Sequence, residues 1–276
     1  MRTGATLKWF DLDSEGRILS NTADEVITER TKIVAVTHVG NTTGAITDIA
    51  PMVKRAHEVG AVVVLDACQS VPHLKIDLHA LDVDFAAWSA HKMYGPTGVG
   101  FLYGKRDMLE ALPPANFGGS MVELAWMDQE AQYMAPPARF EAGTQPVAQV
   151  VAAGVAAEWL MNIGMENLEA HERVIAGELL KMGQIDGVRI LGPQTNEQRI
   201  GTVAFEIDGV HPHDVGQFID AQGIAIRVGH HCAQPVHRHF GVYASNRASS
   251  GIYNSVEDAQ ALVEALKKVR PFFGVE

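Results

Sequence analysis

The chain has 276 residues, of which 47% are hydrophobic and 7% aromatic, which allows a sizeable buried core and excludes a disordered protein. Its 22 basic and 33 acidic residues leave a net charge of -11, which argues against nucleic acid and anionic membranes as partners. Two cysteines, Cys68 and Cys232, are too few for a disulfide framework, and no apolar run is long enough to span a bilayer. We therefore expect a soluble, cytoplasmic protein.

The first half of the chain alternates strands and helices. Runs rich in Val and Ile at 32–39 and 61–67 are predicted to be strands on either side of a helix at 48–59. Both runs are apolar at successive positions, which is typical of parallel strands buried on both faces. Two further strands are predicted at 85–90 and 98–104. This order predicts an α/β domain that binds its ligands at the carboxyl ends of the strands.

The second half is predicted to form a smaller α+β domain. Residues 113–146 contain several Pro and Gly and are expected to be irregular, and an Ala-rich helix at 147–160 then leads out of the first domain. The elements predicted beyond it are helices at 166–181, 213–220 and 256–269 and strands at 202–207 and 224–228. We place the boundary so that residues 1–161 belong to the large domain and residues 162–276 to the small one.

The stretch AAWSAHKMYGPTG, residues 86–98, ends an apolar run on a lysine. Burying an unpaired ammonium is costly, so the simplest interpretation is that the strand ends there and Lys92 is exposed. A desolvated lysine has a lowered pKa and becomes an amine that can form a Schiff base with an aldehyde. Ser89 and His91 could donate hydrogen bonds to a phosphate beside it.

Asp66 stands at the end of a predicted strand, and Gln69 follows three residues later. An aspartate in this position most often forms a turn or caps a helix. Beside a Schiff-base lysine it could instead pair with the pyridine nitrogen of pyridoxal phosphate, and Gln69 could bond the ring oxygen.

The stretch RVGHHCAQPVHRHFGVYASNRAS, residues 227–249, is predicted to be mainly a loop. It concentrates possible metal ligands, but their spacing matches no common structural zinc pattern, and we predict no metal site. Those ligands are His230, His231, Cys232, His237 and His239. The alternative is a reactive thiol, because neighbouring histidines and Arg227 should lower the pKa of Cys232, and Arg247 could grip a substrate carboxylate.

Six motifs in order resemble those of the Suf-type (group II) cysteine desulfurases. These enzymes are class V aminotransferase-like proteins of pyridoxal phosphate fold type I, with a mostly parallel large domain and a small domain. The resemblance extends over essentially the whole chain. Its motifs are HVGNTTG, DACQ, SAHKMYGPTG, RFEAGT, RVGHHCAQP and NRAS.

The resemblance implies a role for each matching residue. Pyridoxal phosphate would be bound by Asp66, Gln69, Ser89, His91 and Lys92, with Lys92 holding it covalently, and Thr144 would reach the cofactor of a neighbouring subunit in a homodimer. The carboxylate of L-cysteine, or of L-selenocysteine, would be bound by Asn41, Arg227 and Arg247. Cys232 would accept the sulfur as a persulfide and pass it to a Suf-type carrier or scaffold protein that serves iron-sulfur cluster assembly.

The sequence also departs from the family. Family members are longer, and this chain starts where their large domain is already under way, so we expect either a truncated gene product or one part of a split protein. An incomplete sheet would leave an apolar edge. Cys68 stands where the family usually has Ala, and we expect it to pack without a catalytic role.

Three other functions remain open on the sequence. The chain could be another class V enzyme, such as a selenocysteine lyase or a kynureninase-like hydrolase. It could be a non-catalytic interaction or scaffold subunit, because it is short for the family. It could also be a zinc-binding module.

Overall fold

Two four-stranded sheets, each with its own hydrophobic core, organise the chain in a computed structural model that describes residues 3–275. The strands of these residues are β1 (Ile33–Thr37), β2 (Val62–Asp66), β3 (Phe85–Ser89), β4 (Gly100–Gly104), β5 (Val122–Leu124), β6 (Gln132–Tyr133), β7 (Val188–Ile190), β8 (Thr202–Ile207), β9 (Arg227–Gly229) and β10 (Ser245–Ser249). The helices are α1 (Ala23–Val26), α2 (Ala50–Glu58), α3 (Arg106–Ala111), α4 (Val147–Ile163), α5 (Met165–Leu180), α6 (Pro212–Asp220), α7 (Gln234–His239), α8 (Val256–Leu266) and α9 (Val269–Phe272).

The first sheet has the order β1-β2-β3-β4, in which β1, β2 and β3 are parallel and β4 is antiparallel to β3. The predicted β-α-β unit is confirmed, because α2 connects β1 to β2 and packs its apolar face on them. Met52 and Val53 of α2 are buried together with Val34, Val63 and Leu65 of the two strands. The parallel order brings the carboxyl ends of β1, β2 and β3 to one edge of the sheet.

The prediction that β1 is buried on both faces is wrong. Its residues alternate between exposed and buried, and Ile33 is 65% exposed. Among residues 3–275, the strands at the two ends of this sheet are β1 and β4, and on β4 Leu102 is 60% exposed. An apolar edge of this kind favours association with another chain segment.

The second sheet is antiparallel, with the order β7-β8-β10-β9, and its core includes Phe205 of β8 and Leu262 of α8. The predicted strand at 202–207 is confirmed in full. The predicted strand at 224–228 is wrong in most of its length, because β9 covers only Arg227–Gly229. β7, α7 and β10 were not predicted from the sequence, nor was the β5–β6 hairpin inside the segment expected to be irregular.

A small third cluster joins the two sheets. Met93 from the turn after β3 is buried with Leu160 of α4 and Leu168 of α5, and Tyr94 and Ile252 pack against them. The predicted domain boundary after residue 161 falls inside α4, which continues to Ile163, and it stays a prediction.

Gly164 separates α4 from α5 at a φ of 89°, a conformation that favours glycine. Within residues 3–275, no single helix is long and apolar enough to cross a membrane. The helices Val147–Ile163 and Met165–Gln184, which meet at an angle of 77°, reach the length and apolar composition of a membrane span only when they are taken together.

Candidate active site

Asp66, Ser89 and Lys92 lie together at the carboxyl edge of the first sheet. Asp66 is the last residue of β2 and is in register with Thr37 of β1 and Ala87 of β3. Ser89 ends β3, and a single turn of 3-10 helix, Ala90–Lys92, follows it at once. The parallel register therefore brings a carboxylate, a hydroxyl and an amine to the same edge.

The side chain of Lys92 is exposed, while its neighbours on both sides anchor the turn. Ala90 is fully buried and Met93 is 7% exposed in the cluster between the sheets. No carboxylate forms a salt bridge with Lys92 within the described chain. An amine held by a rigid turn and free of an acidic partner is available to a ligand.

The thiol of Cys68 belongs to the same cluster. Its backbone N–H donates to Oδ1 of Asp66 at 2.9 Å. Burial raises the pKa of the Cys68 thiol, and the hydrogen bond and charge of Asp66 raise it further, whereas Lys92 and Ser89 act in the opposite direction. A protonated thiol is a poor nucleophile, which agrees with the expectation that Cys68 has no catalytic role.

The remaining predicted cofactor residues occupy three positions. His91 is exposed in the turn beside Lys92, and Gln69 is half-buried in the turn that follows Asp66. Thr144 is exposed in the segment before α4. Its proposed contact with a neighbouring subunit is not tested by a single chain, and it stays a prediction.

The donor set at this edge fits pyridoxal phosphate. Ser89 and His91 offer hydrogen-bond donors that suit a phosphate, and Lys92 offers an amine that suits an aldehyde. The exposed carboxylate of Asp66 receives a backbone hydrogen bond and forms no salt bridge among residues 3–275, so it can pair with a protonated ring nitrogen.

His38 also lies at this edge, although it was not predicted as a site residue from the sequence. Its backbone N–H donates to the carbonyl of Asp66 at 3.0 Å, its ring is 9% exposed, and burial lowers the pKa of the ring. Its Nδ1 has no hydrogen-bond partner in the described part of the chain. The signal in the sequence was its place directly after β1, inside the motif HVGNTTG.

Cys232 lies in a tight turn between β9 and α7. His231 and Cys232 both have positive φ, at 51° and 60°, which is unfavourable for residues other than glycine. The N–H of Ala233 closes the turn on the carbonyl of His230 at 2.8 Å. Two consecutive residues in this conformation persist only when surrounding contacts hold them, and such strain concentrates at functional sites.

A chain of hydrogen bonds holds His231 from the inside. Its Nε2 lies 3.2 Å from the carbonyl oxygen of Ser245 and 3.1 Å from the hydroxyl of the same residue. That hydroxyl lies 2.9 Å from Nε2 of buried His237, whose Nδ1 donates to the carbonyl of Ala233 at 2.9 Å. Ser245 thus connects the two histidines, a role that no pattern in the sequence indicated.

The structure does not support the expectation that a charged His231 activates the thiol of Cys232. Burial, together with the nearby charge of Arg247, lowers the pKa of His231 to about 4, so the ring is neutral at pH 7. A neutral ring cannot stabilise a thiolate by its charge. The positive charge near Cys232 comes instead from Arg247, and Cys232 acts to raise the pKa of that guanidinium.

Arg227 and Arg247 are partners in the register of β9 and β10. Burial and the charge of Arg227 lower the pKa of Arg247, against the attraction of Cys232. Arg247 donates from Nη1 to the carbonyl of Asn41 at 2.9 Å, and its buried Nε has no partner within residues 3–275. The two guanidinium groups therefore present positive charge and a free donor to an anion.

Asn41 connects the two clusters. Its Nδ2 donates to the carbonyl of His231 at 2.5 Å, next to Cys232. Asn41 follows Thr37, the register partner of Asp66, by four residues, so its Cα is at most about 15 Å from that of Thr37. The predicted substrate residue thus also holds the loop of the thiol close to the edge of the first sheet.

Within residues 3–275 no group of three or more His, Cys, Asp or Glu side chains is arranged to hold a metal ion. In the histidine-rich segment, both ring nitrogens of His237 already have hydrogen-bond partners.

Comparison with known proteins agrees with these features. A family model described as aminotransferase class-V matches residues 1–262. The probable cysteine desulfurase 2 of Mycobacterium leprae is 49% identical over 276 residues, which is 100% of this chain and 65% of its own length. The probable cysteine desulfurase of Streptomyces coelicolor is 46% identical over 274 residues, which is 99% of this chain and again 65% of its own length. The chain thus spans about two thirds of the length of these curated relatives.

The crystal structure of the cysteine desulfurase CsdA (S-sulfonic acid) from Escherichia coli has the same fold. It aligns with a TM-score of 0.93 at 35% identity, covering 98% of this chain and 67% of CsdA. The apo structure of cysteine desulfurase from Thermococcus onnurineus gives the same TM-score of 0.93 at 32% identity. The predicted α/β fold, with a mostly parallel sheet and a smaller α+β part, is confirmed.

Proposed function

Because the chain belongs to the aminotransferase class-V family, we propose that it is a pyridoxal phosphate-dependent cysteine desulfurase. It converts L-cysteine to L-alanine, and the sulfur stays on Cys232 as a persulfide. The observation that carries the proposal is the tether from Asn41 to the loop of Cys232. Through it, the thiol loop is joined to the sheet edge that bears Asp66 and Lys92.

Five residues at the carboxyl edge of the first sheet would hold the cofactor. Lys92 would bind it covalently through Nζ, Asp66 would keep its ring nitrogen protonated, and Gln69 would bond its ring oxygen. Ser89 and His91 would bind the phosphate. When bound, the cofactor withdraws electrons from the substrate Cα and makes the bond from carbon to sulfur breakable.

The substrate carboxylate is bound by the second sheet. Arg247 offers its free Nε, Arg227 adds charge beside it, and Asn41 fixes the Nη1 end of Arg247 by accepting its hydrogen bond. Planar guanidinium groups recognise carboxylates with defined geometry. The neutral ring of His231 adds no further charge to this pocket.

Cys232 receives the sulfur. Arg247 places positive charge near this thiol, and a sulfur nucleophile is soft enough to attack the substrate sulfur. Overall, L-cysteine and the Cys232 thiol yield L-alanine and a Cys232 persulfide, so no external oxidant is needed. Cys232 is exposed, which leaves the persulfide accessible to an acceptor.

The partners follow from this chemistry. We propose a cytoplasmic homodimer in which Thr144 contacts the cofactor of the neighbouring subunit, and a small Suf-type carrier or scaffold protein that takes the sulfur for iron-sulfur cluster assembly. The exposed apolar residues Val151, Val155 and Trp159 follow at intervals of four on α4, the helix that begins shortly after Thr144, and support an association through this face of the helix.

The test combines spectroscopy and product analysis. Purified protein is titrated with pyridoxal phosphate, the visible absorption of the bound cofactor is recorded, and alanine and sulfide are measured after L-cysteine is added. Lys92→Ala should abolish the visible band, with Lys54→Ala as the exposed control. Cys232→Ala should keep the band and lose sulfur release, with Cys68→Ala as the matched control.

Other outcomes support a different function. A wild-type protein that binds no cofactor would support a scaffold subunit instead. Sulfur release that survives in Cys232→Ala would place the nucleophile elsewhere, and a reaction confined to L-selenocysteine would indicate a selenocysteine lyase.

A further inference from the structure

Arg199 is a buried cation that takes no part in the proposed chemistry. It is 6% exposed, and among residues 3–275 its guanidinium donates to backbone carbonyls. The acceptors are Pro193, Thr202 at 2.6 Å, Ile200 at 3.3 Å and Thr43 at 3.5 Å. Thr43 belongs to the loop after β1, whereas the other three belong to the segment around β8.

Burial lowers the pKa of Arg199 to about 10, with a further contribution from the charge of Arg17, and Glu15 opposes the shift. The group therefore stays charged at neutral pH. Within residues 3–275 no carboxylate forms a salt bridge with it. A buried charge without an ionic partner is tolerated only when several dipoles solvate it, so the surrounding carbonyls must stay in place.

Besides the hydrogen bond from Arg199 to Thr43, backbone hydrogen bonds hold the loop of residues 40–46, which we call the Asn41 loop, against the segment before β8. The N–H of Ile200 donates to the carbonyl of Gly44 at 2.9 Å, and the N–H of Ile46 donates to the carbonyl of Gln198 at 2.9 Å. Ala45 forms an isolated β-bridge with Arg199 itself.

The backbone of the Asn41 loop packs closely against that of Thr202 at Gly44. Gly44 has a φ of 71°, and a Cβ placed there would lie 2.4 Å from the carbonyl oxygen of Thr202. Any larger residue must push the Asn41 loop away from β8.

The Asn41 loop is also hydrogen-bonded to the turn that carries Cys232. Asn41 stands at its start, accepts from Arg247 at 2.9 Å and donates to the carbonyl of His231 at 2.5 Å. The conformation at His231 and Cys232 has positive φ and needs external contacts to persist. A displacement of the Asn41 loop would therefore weaken the contacts that hold the turn of Cys232 in its conformation.

We propose that Arg199 is a positioning residue that holds the turn of Cys232 in place through the Asn41 loop. It touches neither substrate nor cofactor. The inference rests on the proposed function only in naming Cys232 as the reacting thiol, since the connection itself is a property of the fold.

The test measures amide hydrogen exchange in peptides that cover residues 40–46 and 228–234. Arg199→Met should accelerate exchange in both segments by about tenfold, as expected for the loss of a coupling of this size. Asn41→Ala should accelerate exchange in 228–234 to a similar extent. Because both act through one connection, the double variant should exchange there no faster than the faster single variant. Arg173→Met, which removes an exposed arginine of α5, is the control and should change neither segment.

Three results would overturn the proposal. The first is that exchange in residues 228–234 is unchanged when Arg199 is replaced. The second is that the accelerations caused by the Arg199 and Asn41 substitutions multiply in the double variant. The third is that exchange accelerates evenly over the whole chain. If Arg199→Met does not fold, Arg199→Lys and Gly44→Ala replace it, because each disturbs the Asn41 loop without removing the buried charge. Both variants should accelerate exchange in residues 228–234. If neither variant does so, the proposed connection is refuted.

The exchange data need neither cofactor nor substrate, so they stand even if the protein releases no sulfur. If it does, Arg199→Lys should lower kcat for sulfur release by about tenfold while the visible band of the bound cofactor is unchanged. A loss of the band would show that the substitution disturbs the first sheet rather than the turn of Cys232.

Discussion

The side-chain amide of Asn41 donates a hydrogen bond of 2.5 Å to the carbonyl of His231, a residue 190 positions away in sequence. This bond joins the loop after the first strand of one sheet to the turn that carries the exposed thiol of the other unit. The geometry of the thiol therefore depends on both halves of the chain, and the following expectations depend on that junction and on the groups around it.

Arg247 should be sensitive even to a substitution that keeps its charge. Arg247→Lys loses the planar fork that reaches Asn41 from Nη1 and offers Nε to an anion. We expect KM for L-cysteine to rise about tenfold, with kcat within about threefold, in steady-state measurements of alanine formation. Arg238→Lys, an exposed arginine of α7, is the control. An unchanged KM would mean that Arg247 does not bind the substrate carboxylate.

The two cysteines should differ in reactivity. Burial and Asp66 raise the pKa of Cys68, whereas Cys232 is exposed and lies near a guanidinium. At neutral pH we expect iodoacetamide to label Cys232 at least about tenfold faster than Cys68. Mass spectrometry of peptides after timed quenching measures both rates. Cys68→Ala should leave the labelling of Cys232 unchanged, and preferential labelling of Cys68 would contradict this account.

The neutral state of His231 links stability to pH. Its pKa falls from 6.5 to about 4 on folding, so between these values the unfolded chain binds more protons than the folded chain. The free energy of unfolding should decrease as pH falls from about 6.5 toward 4, with a contribution from this residue of at most about 1.4 kcal/mol per pH unit. Buried His38 acts in the same direction.

Urea unfolding at several pH values between 7 and 4 measures this dependence. His231→Gln should reduce the slope, whereas His79→Gln, at an exposed position, should leave it unchanged. Equal slopes for His231→Gln and the wild type would show that folding does not shift the pKa of His231.

A buried carboxylate at the amino end of β3 should control the stability of the first sheet. Asp84 accepts from the N–H of Val63 at 2.7 Å and from Nζ of Lys105 at 3.0 Å, and it lies 3.2 Å from Nε2 of His57. Lys105→Met leaves this charge with fewer partners and should lower the free energy of unfolding by about 2–4 kcal/mol. Arg106→Met removes only an exposed pair with Glu110 and should cost less than about 1 kcal/mol. A similar loss in the two variants would show that the buried cluster contributes no more than a surface pair.

The pH dependence of the same cluster has a defined sign. Burial opposes ionisation of Asp84, but the hydrogen bonds from Val63, Lys105 and His57 outweigh it and lower the pKa of the carboxyl. The stabilisation is present above the unfolded pKa of 3.8 and is lost as pH falls below that value. Asp84→Asn should remove this part of the acid sensitivity in urea unfolding.

The sequence by itself determined the elements with a continuous apolar pattern and the residues at their ends. The β-α-β unit was predictable because Val- and Ile-rich strands and an intervening helix carry their own periodicity. It followed that Asp66, Ser89 and Lys92 meet, since the carboxyl ends of parallel strands share one edge. The order of the motifs also indicated the family.

Only the tertiary structure decided how the second sheet is assembled and how the side chains around Cys232 are placed. The strand of Ser245–Ser249 has no apolar run, and it exists because it pairs on one side with β8 and on the other with β9. The neutrality of His231 and the burial of Arg199 likewise depend on neighbours that no local pattern reveals. A pKa or a buried charge is fixed by desolvation and by the nearest dipoles, and these exist only after distant segments have packed together.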